Sequence, residues 1–276
     1  MPPRFTTSDV RRYYDRQTSG FVALGQGAGA IHRAVWGPGV AEREQAFHFV
    51  DDRIAQLILS NRVRHIIDLG CGVGGSLCYL AGRAPIRGTG VTLSPVQADL
   101  ASQRVSALGL SDRVSIVEGD YGALPPTVGK ADLAYAIESF VHAPDPRAFF
   151  TESSRILEPG GLLAICDDVN HAPRSGEASR AIDQFRRGWH INSLLEPEAL
   201  AALARETGFT HESTLDLTSW LEINRPRDRA IAAFLTLFGW LPLERTRFAH
   251  IAGGRALQEC LRQGWIRYEL NVFRRL

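Results

Sequence analysis

Short apolar runs alternate with amphipathic stretches through the middle of the chain. The apolar runs have the length of buried strands, and the stretches between and after them repeat their apolar positions at helical spacing. The predicted strands are residues 63–69, 88–93, 114–117, 132–137 and 162–166. The predicted helices are residues 75–82, 95–109, 146–157 and 197–207. Strands that alternate with helices indicate a parallel sheet with helices on both faces.

The two ends of the chain extend this pattern. Residues 215–221 and 265–273 are expected to close the sheet, which gives an α/β fold with a seven-stranded, doubly wound, Rossmann-like sheet. We expect residues 1–60 to form an N-terminal helical cap or lid. The core domain is then 61–276, with a helical insertion at about 225–263. Both additions can cover the carboxyl ends of the strands, where open α/β sheets bind ligands.

Composition narrows the classes of function. The 276 residues carry 31 basic and 30 acidic side chains, a net charge of +1, which argues against a nucleic-acid partner. There is neither an apolar run long enough to span a membrane nor a signal-peptide pattern, so we expect a cytoplasmic protein without a membrane partner. A homo-oligomer is left open. The cysteines form no Cys-x-x-Cys pair and predict reduced thiols; they are Cys71, Cys78, Cys166 and Cys260.

A glycine-rich turn follows the first predicted core strand. Gly70, Gly72 and Gly74 allow a tight turn and let a ligand approach the backbone, and Asp68 stands two positions before the first of them. Gly70, Gly72 and Gly75 also fit the dinucleotide pattern G-x-G-x-x-G, so a nucleotide-binding oxidoreductase is one alternative. The sequence continues with Glu-Gly-Asp-Tyr at 118–121 and Arg-Ile-Leu-Glu-Pro-Gly-Gly at 155–161. In this order the motifs resemble those of class I S-adenosylmethionine-dependent methyltransferases, across roughly residues 45–215.

The second predicted strand ends without the acid that most members of that class use for the ribose. It has Thr92-Leu93-Ser94-Pro95-Val96-Gln97 instead, which resembles sterol C-methyltransferases and cyclopropane fatty-acid synthases. Both Thr92 and Gln97 can hydrogen-bond a diol. The missing acid counts against NAD, and a non-catalytic scaffold is the third alternative. The resemblance implies S-adenosylmethionine as cofactor, with contacts from Asp68, Gly70, Gly72, Gly74, Thr92, Leu93, Gln97, Asp120, Tyr121 and Ala136.

Glu138 follows the fourth predicted strand, in the expected ligand crevice. It is either a structural ion pair or cap, or a functional acid. Its surroundings resemble the Glu-centred motif of sterol and prenyl diphosphate C-methyltransferases, and in the second group that glutamate is the catalytic base. An alkene that attacks a sulfonium methyl leaves a carbocation, which needs a carboxylate to stabilise it and remove a proton. His142 either orients Glu138 or serves as the base of an O- or N-methyltransferase.

The glycine-interrupted segment 24–39 resembles the diphosphate-holding region of geranyl diphosphate C-methyltransferase, with His32 and Arg33 in the matching places. The resemblance implies an isoprenoid acceptor, a short prenyl diphosphate, with Mg²⁺ left open as its companion; no metal site made by the protein alone is predicted. Asp167-Asp168 at the end of the fifth predicted strand either helps to hold Mg²⁺ on a diphosphate or, as we expect, is a solvated pair at a loop end. A small aromatic acceptor, methylated on O or N, is the alternative. Further acceptor contacts are expected from Tyr14, Trp36, Phe140, His190 and Arg225, and weaker anion candidates are Arg11 and Arg12.

Overall fold

The computed structural model describes residues 3–23, 32–173, 176–223 and 249–276. Its helices are α1 (Thr7–Ala23), α2 (Arg43–Ser60), α3 (Gly75–Arg83), α4 (Pro95–Ala107), α5 (Pro146–Ile156), α6 (Gly176–Trp189), α7 (Pro197–Glu206) and α8 (Ala249–Arg262). Its strands are β1 (His65–Leu69), β2 (Arg87–Thr92), β3 (Val114–Glu118), β4 (Ala131–Ile137), β5 (Leu157–Asn170), β6 (Phe209–Asp216) and β7 (Ile266–Arg275).

The seven strands form one sheet in the order β3-β2-β1-β4-β5-β7-β6. The first five run parallel, and β7 is antiparallel to both of its neighbours, β5 and β6. The chain leaves β1 toward β2 on one side and returns to β4 on the other, so the strand order reverses between β1 and β4. Ligands of doubly wound sheets bind at that reversal. The prediction of a seven-stranded Rossmann-like sheet is confirmed.

Helices cover both faces of the sheet because successive residues of each strand point to opposite sides. In β4, Leu133, Tyr135 and Ile137 belong to one buried cluster, with apolar residues of α2, α3 and α4. Ala134 and Ala136 belong to the other, with residues of α5 and α7. Helix α2 therefore packs on the sheet, and of the predicted cap 1–60 it is α1 that lies over the carboxyl ends of the strands; the domain boundary at 60 stays a prediction.

Helices α4 and α5 each begin after a residue whose side chain caps the helix, Ser94 and Asp145. The Ser94 side chain accepts the N–H of Gln97, and the Asp145 side chain accepts that of Arg147. In both helices the next residue is proline, whose missing N–H costs nothing at a first helical position. Local sequence therefore fixes where α4 and α5 begin, and with them the positions of the β2–α4 and β4–α5 loops.

The structure corrects several predicted elements. The strand expected at 215–221 is β6, which ends at Asp216, and a 3-10 turn (Thr218–Trp220) follows it. Strand β5 extends to Asn170, beyond the predicted end at 166. Helix α6 was not predicted at all. Of the predicted insertion, α8 is described and residues 224–248 lie outside the described residues. No helix in the described ranges has the length and apolar character needed to span a membrane.

Candidate active site

The glycine turn after β1 has the backbone conformation that only glycine adopts easily. Gly70, Gly72 and Gly74 have φ angles of 100°, 53° and 77°. A Cβ on Gly70 would lie 2.5 Å from the Cβ of Ser139, whose hydroxyl donates to the Leu69 carbonyl at 2.6 Å. A Cβ on Gly72 would meet nothing within 4 Å. The turn is therefore packed tightly on its inner side and is open on the side of the cavity that it lines.

Asp68 lies beneath this turn and is 4% exposed. Its carboxylate accepts the Tyr135 hydroxyl at 3.0 Å. Burial raises the pKa of Asp68 to about 8, against the lowering effect of that hydrogen bond. Asp68 does not line the cavity, so its predicted contact with the cofactor stays a prediction.

The side chains expected to bind the ribose bond to one another and to α1. The Thr92 hydroxyl donates to Gln97 Oε1 at 2.9 Å, and Gln97 Nε2 donates to the Thr18 hydroxyl at 3.2 Å. Ser94 donates to Asp15 at 2.5 Å. The cavity is lined by Thr92, Ser94 and Gln97. The same side chains therefore shape its wall and hold α1 in place.

Asp120 likewise lines the cavity and bonds to α1. Its Oδ1 accepts the N–H of Gly122 at 2.8 Å, and its Oδ2 accepts the Thr7 hydroxyl of α1 at 3.2 Å. The neighbouring Tyr121 donates its hydroxyl to the Ser139 carbonyl at 2.9 Å. Both Asp120 and Tyr121 line the cavity beside the glycine turn.

Glu138 lies directly after β4 and is held by one of its two carboxylate oxygens. Its Oε1 accepts the backbone N–H of Arg33 at 2.8 Å and the Tyr268 hydroxyl at 2.9 Å. The closest charged atom to Oε2 is the Arg33 Nε, at 3.9 Å. Glu138 also has a φ of 52°, a strained angle for a residue with a side chain, and such strain concentrates at functional sites. Oε2 accepts no hydrogen bond among those that the structure shows, and Glu138 lines the cavity.

Asp167 and Asp168 correct the expectation of a solvated pair. Because β5 continues past them, they are buried, at 2% and 3% exposure. Asp168 accepts two hydrogen bonds from the Arg33 guanidinium, at 2.6 and 2.7 Å. Asp167 accepts the backbone N–H groups of Val141 and Asp168, and burial, followed by the charge of Asp168, raises its pKa well above the ordinary value.

Arg33 and His32, predicted to hold an anion, both have partners in the protein. The Arg33 guanidinium is bound to Asp168 as described, and His32 Nε2 lies 2.9 Å from the Ser76 hydroxyl. Their role toward a diphosphate therefore stays a prediction. Among the weaker candidates, Arg12 pairs with Asp9, and Arg11 lies 3.7 Å from Glu118. Arg225 lies outside the described residues.

His142 is buried and has no hydrogen bond to Glu138 among those that the structure shows. Its Nδ1 lies 3.1 Å from the carbonyl of His190, so Nδ1 carries the hydrogen and donates it, leaving Nε2 as an acceptor. Burial lowers the pKa of His142 to about 4, so the ring is neutral at pH 7. The predicted orienting contact with Glu138 is replaced by one with the backbone.

These residues enclose a cavity of about 150 Å³ under α1. The aromatic side chains that line it are Tyr13 and Tyr14 of α1, Tyr121, and Phe185 and Trp189 of α6. Of the predicted site residues, those that line the cavity are Gly70, Gly72, Thr92, Leu93, Gln97, Asp120, Tyr121, Glu138, His142, Tyr14, His32 and Arg33. Those that do not are Asp68, Gly74, Ala136, Trp36, Phe140 and His190.

Apart from Asp68, the residues away from the cavity have packing contacts in the fold. Gly74 is the N-cap residue of α3, and Ala136 is buried in the sheet. Phe140 packs against Phe149 and Phe150 in the core. The Trp36 ring packs beside α2, and the His190 ring lies between Phe5 and Tyr13, which fixes the start of α1.

The side of the cavity formed by the glycine turn, Thr92 and Asp120 has groups that suit the nucleoside of S-adenosylmethionine. The open side of Gly72 leaves room for a ligand against the backbone, and the polar atoms of Thr92 and Asp120 lie where hydroxyl and amino groups of a nucleoside can reach them. No cluster of metal-ligating side chains occurs in the part of the chain that is described.

Comparison with known proteins decides the family. Residues 67–165 match the family described as Methyltransferase domain. The O-methyltransferase resE of Aspergillus sclerotiorum is 32% identical over 209 residues, which cover 74% of this chain and 76% of that protein. The chain belongs to the class I S-adenosylmethionine-dependent methyltransferases.

Other members with different acceptors are similar to this methyltransferase. The rice (Oryza sativa subsp. japonica) protein 24-methylenesterol C-methyltransferase 2 is 31% identical over 183 residues, 65% of this chain; the match spans half of the rice protein. The geranyl diphosphate C-methyltransferase of Streptomyces coelicolor A3(2) has the same fold, with a TM-score of 0.72 and 21% identity over the whole of both chains. The predicted class of enzyme is thus confirmed, and the acceptor has to be argued from the site.

Tyr268 and the partner of Asp168 escaped the sequence analysis. Tyr268 is the third residue of β7, where apolar and polar residues alternate and nothing indicates a contact with Glu138. Asp168 was noticed, but its pairing with Arg33 joins residues 135 positions apart. Only the strand register, which sets Asp168 opposite Tyr268, brings the three side chains together.

Proposed function

We propose that this methyltransferase methylates an alkene carbon of a short prenyl diphosphate, of the isopentenyl or geranyl size, and that Glu138 removes the proton that the product must lose. The observation that carries the proposal is the carboxylate of Glu138, which has Oε1 held by two donors and lines a cavity that several aromatic side chains also line. S-adenosylmethionine, when bound, supplies an electrophilic methyl group. The chain's own residues must then stabilise positive charge on the acceptor and accept a proton.

Three charged side chains that line the cavity, Arg33, Glu138 and Asp168, are called its floor here. Their charges support an acceptor that becomes cationic. Arg33 is the cation there, and it is paired with Asp168, so Glu138 faces the acceptor without a full counter-ion of its own. The rings of Tyr13, Tyr14 and Trp189 surround the same space, and aromatic faces stabilise nearby cations. A neutral acceptor that stays neutral would gain nothing from this arrangement.

The polar end of the acceptor would lie away from that floor, because a diphosphate is repelled by Glu138 and Asp168. If Mg²⁺ takes part, it would enter with the diphosphate, since Asp167 and Asp168 already have other partners. The helix α1 closes the cavity above the acceptor through the hydrogen bonds of Thr7 and Thr18. Such closure excludes water, which would otherwise capture a carbocation before it lost its proton.

The direct test is incubation of the protein with S-adenosylmethionine, Mg²⁺ and a panel of isopentenyl, dimethylallyl, geranyl and farnesyl diphosphates, followed by mass spectrometry of the products. We expect a gain of one CH₂ unit on carbon with at least one short member. Failure of every diphosphate and of the corresponding alcohols to gain that mass on carbon would reject the proposal.

Glu138→Gln tests the base. The amide keeps the shape of the side chain but cannot accept the proton, so we expect loss of at least about 100-fold in kcat, the usual contribution of a general base, with cofactor binding retained. Glu118→Gln is the matched control, because Glu118 also ends a strand on this edge but is exposed and does not line the cavity. Equal activity of the two variants would remove Glu138 from the chemistry.

His142 favours a second candidate, O- or N-methylation of a small aromatic acceptor. Its neutral ring has Nδ1 bound to a carbonyl, which leaves Nε2 as a proton acceptor at the cavity wall. The Aspergillus relative is named as an O-methyltransferase. A panel of phenols and aromatic amines discriminates the two: methylation that survives Glu138→Gln and is lost in His142→Phe would favour this candidate.

A further inference from the structure

The side chains around Glu138 form an unusual charge arrangement, in which a buried arginine lies beside one carboxylate and binds another. The Arg33 guanidinium makes both of its hydrogen bonds to Asp168, at 2.6 and 2.7 Å, while its Nε is 3.9 Å from Glu138 Oε2. The same guanidinium lies over the Tyr268 ring, 4.8 Å from its centre. Planar, bidentate pairing of this kind fixes the orientation of an arginine.

We infer that Asp168 is a positioning residue that retains the Arg33 guanidinium, and so keeps Oε2 of Glu138 free to accept a proton. Without Asp168, the guanidinium could rotate onto Glu138 and form the bidentate pair there instead. A carboxylate in such a pair is a weaker base. The inference rests on the proposed role of Glu138 and adds two residues to it, Asp168 and Tyr268.

Tyr268 acts on the other oxygen of Glu138. Its hydroxyl and the backbone N–H of Arg33 both donate to Oε1, which fixes the carboxylate and leaves Oε2 without a hydrogen bond among those that the structure shows. Tyr268 is fully buried in β7, opposite Asp168 in β5, so its own position is set by the sheet. The register of the antiparallel pair thus places both supporting groups in contact with Arg33.

The remaining titratable groups near Glu138 come from two elements, β5 and α1, and do not take over this role. Asp167 is turned toward backbone N–H groups, and burial raises its pKa well above the ordinary value, which disfavours its charged form. Burial likewise raises the pKa of Tyr14 on α1 and of Cys166 on β5, so both stay neutral. Arg33 and Asp168 are therefore the pair whose charges matter.

The test measures Glu138 directly and needs no acceptor. The protein is labelled with ¹³C at the glutamate side-chain carboxyl, its spectrum is recorded against pH, and the Glu138 signal is assigned from its loss in Glu138→Gln. In Asp168→Asn we expect the titration midpoint of Glu138 to fall by about one pH unit or more relative to the unsubstituted protein, as for a carboxylate that gains an arginine partner. In Tyr268→Phe we expect it to rise, because a donor to the charged form is lost.

Matched controls separate these shifts from general damage. Asp51→Asn removes another buried acid that has a basic partner, His48, and Tyr135→Phe removes another buried hydroxyl that donates to a carboxylate, Asp68. Neither contacts Glu138, so neither should move its midpoint. Should Asp168→Asn leave an unpaired charge that prevents folding, Arg33→Gln/Asp168→Asn removes both charges together, and its midpoint should lie near that of the unsubstituted protein.

The outcomes are distinct. Opposite shifts in Asp168→Asn and Tyr268→Phe, with recovery in the double variant, support the inference. A shift in the same direction for both, no shift in Asp168→Asn, or a double variant that differs from the unsubstituted protein would overturn it. If instead these shifts occur but no alkene is methylated, the proposed function fails while the arrangement around Glu138 stands.

Discussion

Replacing Gly70 by alanine should destabilise the protein through two separable effects. The φ of 100° imposes a penalty on any residue with a Cβ, about 1–2 kcal/mol for a left-handed conformation. The new Cβ would also lie 2.5 Å from the Cβ of Ser139, and overpacking of this kind costs about 1–3 kcal/mol. We therefore expect a loss of about 3 kcal/mol, a drop of roughly 6–12 °C in Tm, together with weaker cofactor binding because the turn must move.

Gly109→Ala is the matched control for the conformational part. Gly109 has a φ of 65°, but a Cβ there would meet nothing within 4 Å, so only the first penalty applies. Adding Ser139→Gly to Gly70→Ala should recover part of the loss by removing the clash, even though the hydrogen bond from Ser139 to Leu69 is lost as well. Thermal and denaturant unfolding give the free energies. Equal losses in Gly70→Ala and Gly109→Ala, or no coupling between positions 70 and 139, would refute the reasoning.

Three further predictions concern charge, acceptor and size. Because the pKa of Asp68 is raised to about 8 in the folded protein, the free energy of unfolding should fall relative to Asp68→Asn as pH rises from about 4 to about 8; parallel curves in urea unfolding would contradict this. An amine analogue of the acceptor, protonated at pH 7, should bind with S-adenosylhomocysteine at least about tenfold more tightly than its neutral isostere, about 1.4 kcal/mol, and calorimetry should show this preference lost in Glu138→Gln. Trp189→Ala should raise turnover of farnesyl relative to isopentenyl diphosphate, since Trp189 forms part of the cavity wall; an unchanged ratio would place the size limit elsewhere.

The sequence was sufficient for the sheet and the cofactor turn because both are local signals. The apolar runs of β1 to β5 and the proline-capped starts of α4 and α5 follow from neighbouring residues. Strand β6 was misplaced because it lies at the edge of the sheet and five successive residues in it are exposed, so it has no apolar pattern. Helix α6 was not predicted, and the residues buried in it are Ala178, Phe185 and Gly188.

In the candidate acceptor site, sequence reasoning singled out Glu138, but it did not predict which acid pairs with Arg33. Glu138 was identified because it follows a buried strand at the ligand-binding edge. The partner of Arg33 could not be predicted in the same way, since it depends on how far β5 extends and on the register of β7. A buried arginine has to be paired, and which of the three nearby acids takes it is a matter of tertiary geometry. That choice gives Arg33 a partner inside the protein, Asp168, which the prediction of an anion ligand did not include.

Thr18→Val examines whether α1 links cofactor and acceptor binding. Thr18 is fully buried and its hydroxyl accepts Gln97 Nε2, the group that α1 uses to hold the β2–α4 loop. Valine has the same shape but leaves that buried N–H without its acceptor, which costs about 1–3 kcal/mol. Since α1 also carries Tyr13 and Tyr14, the affinities for cofactor and acceptor should fall together, by about fivefold or more. Thr207→Val is the control, because Thr207, like Thr18, bonds back to a carbonyl of its own helix but lies away from the cavity. A Thr18→Val variant with unchanged cofactor affinity and impaired acceptor affinity would show that α1 covers the acceptor alone.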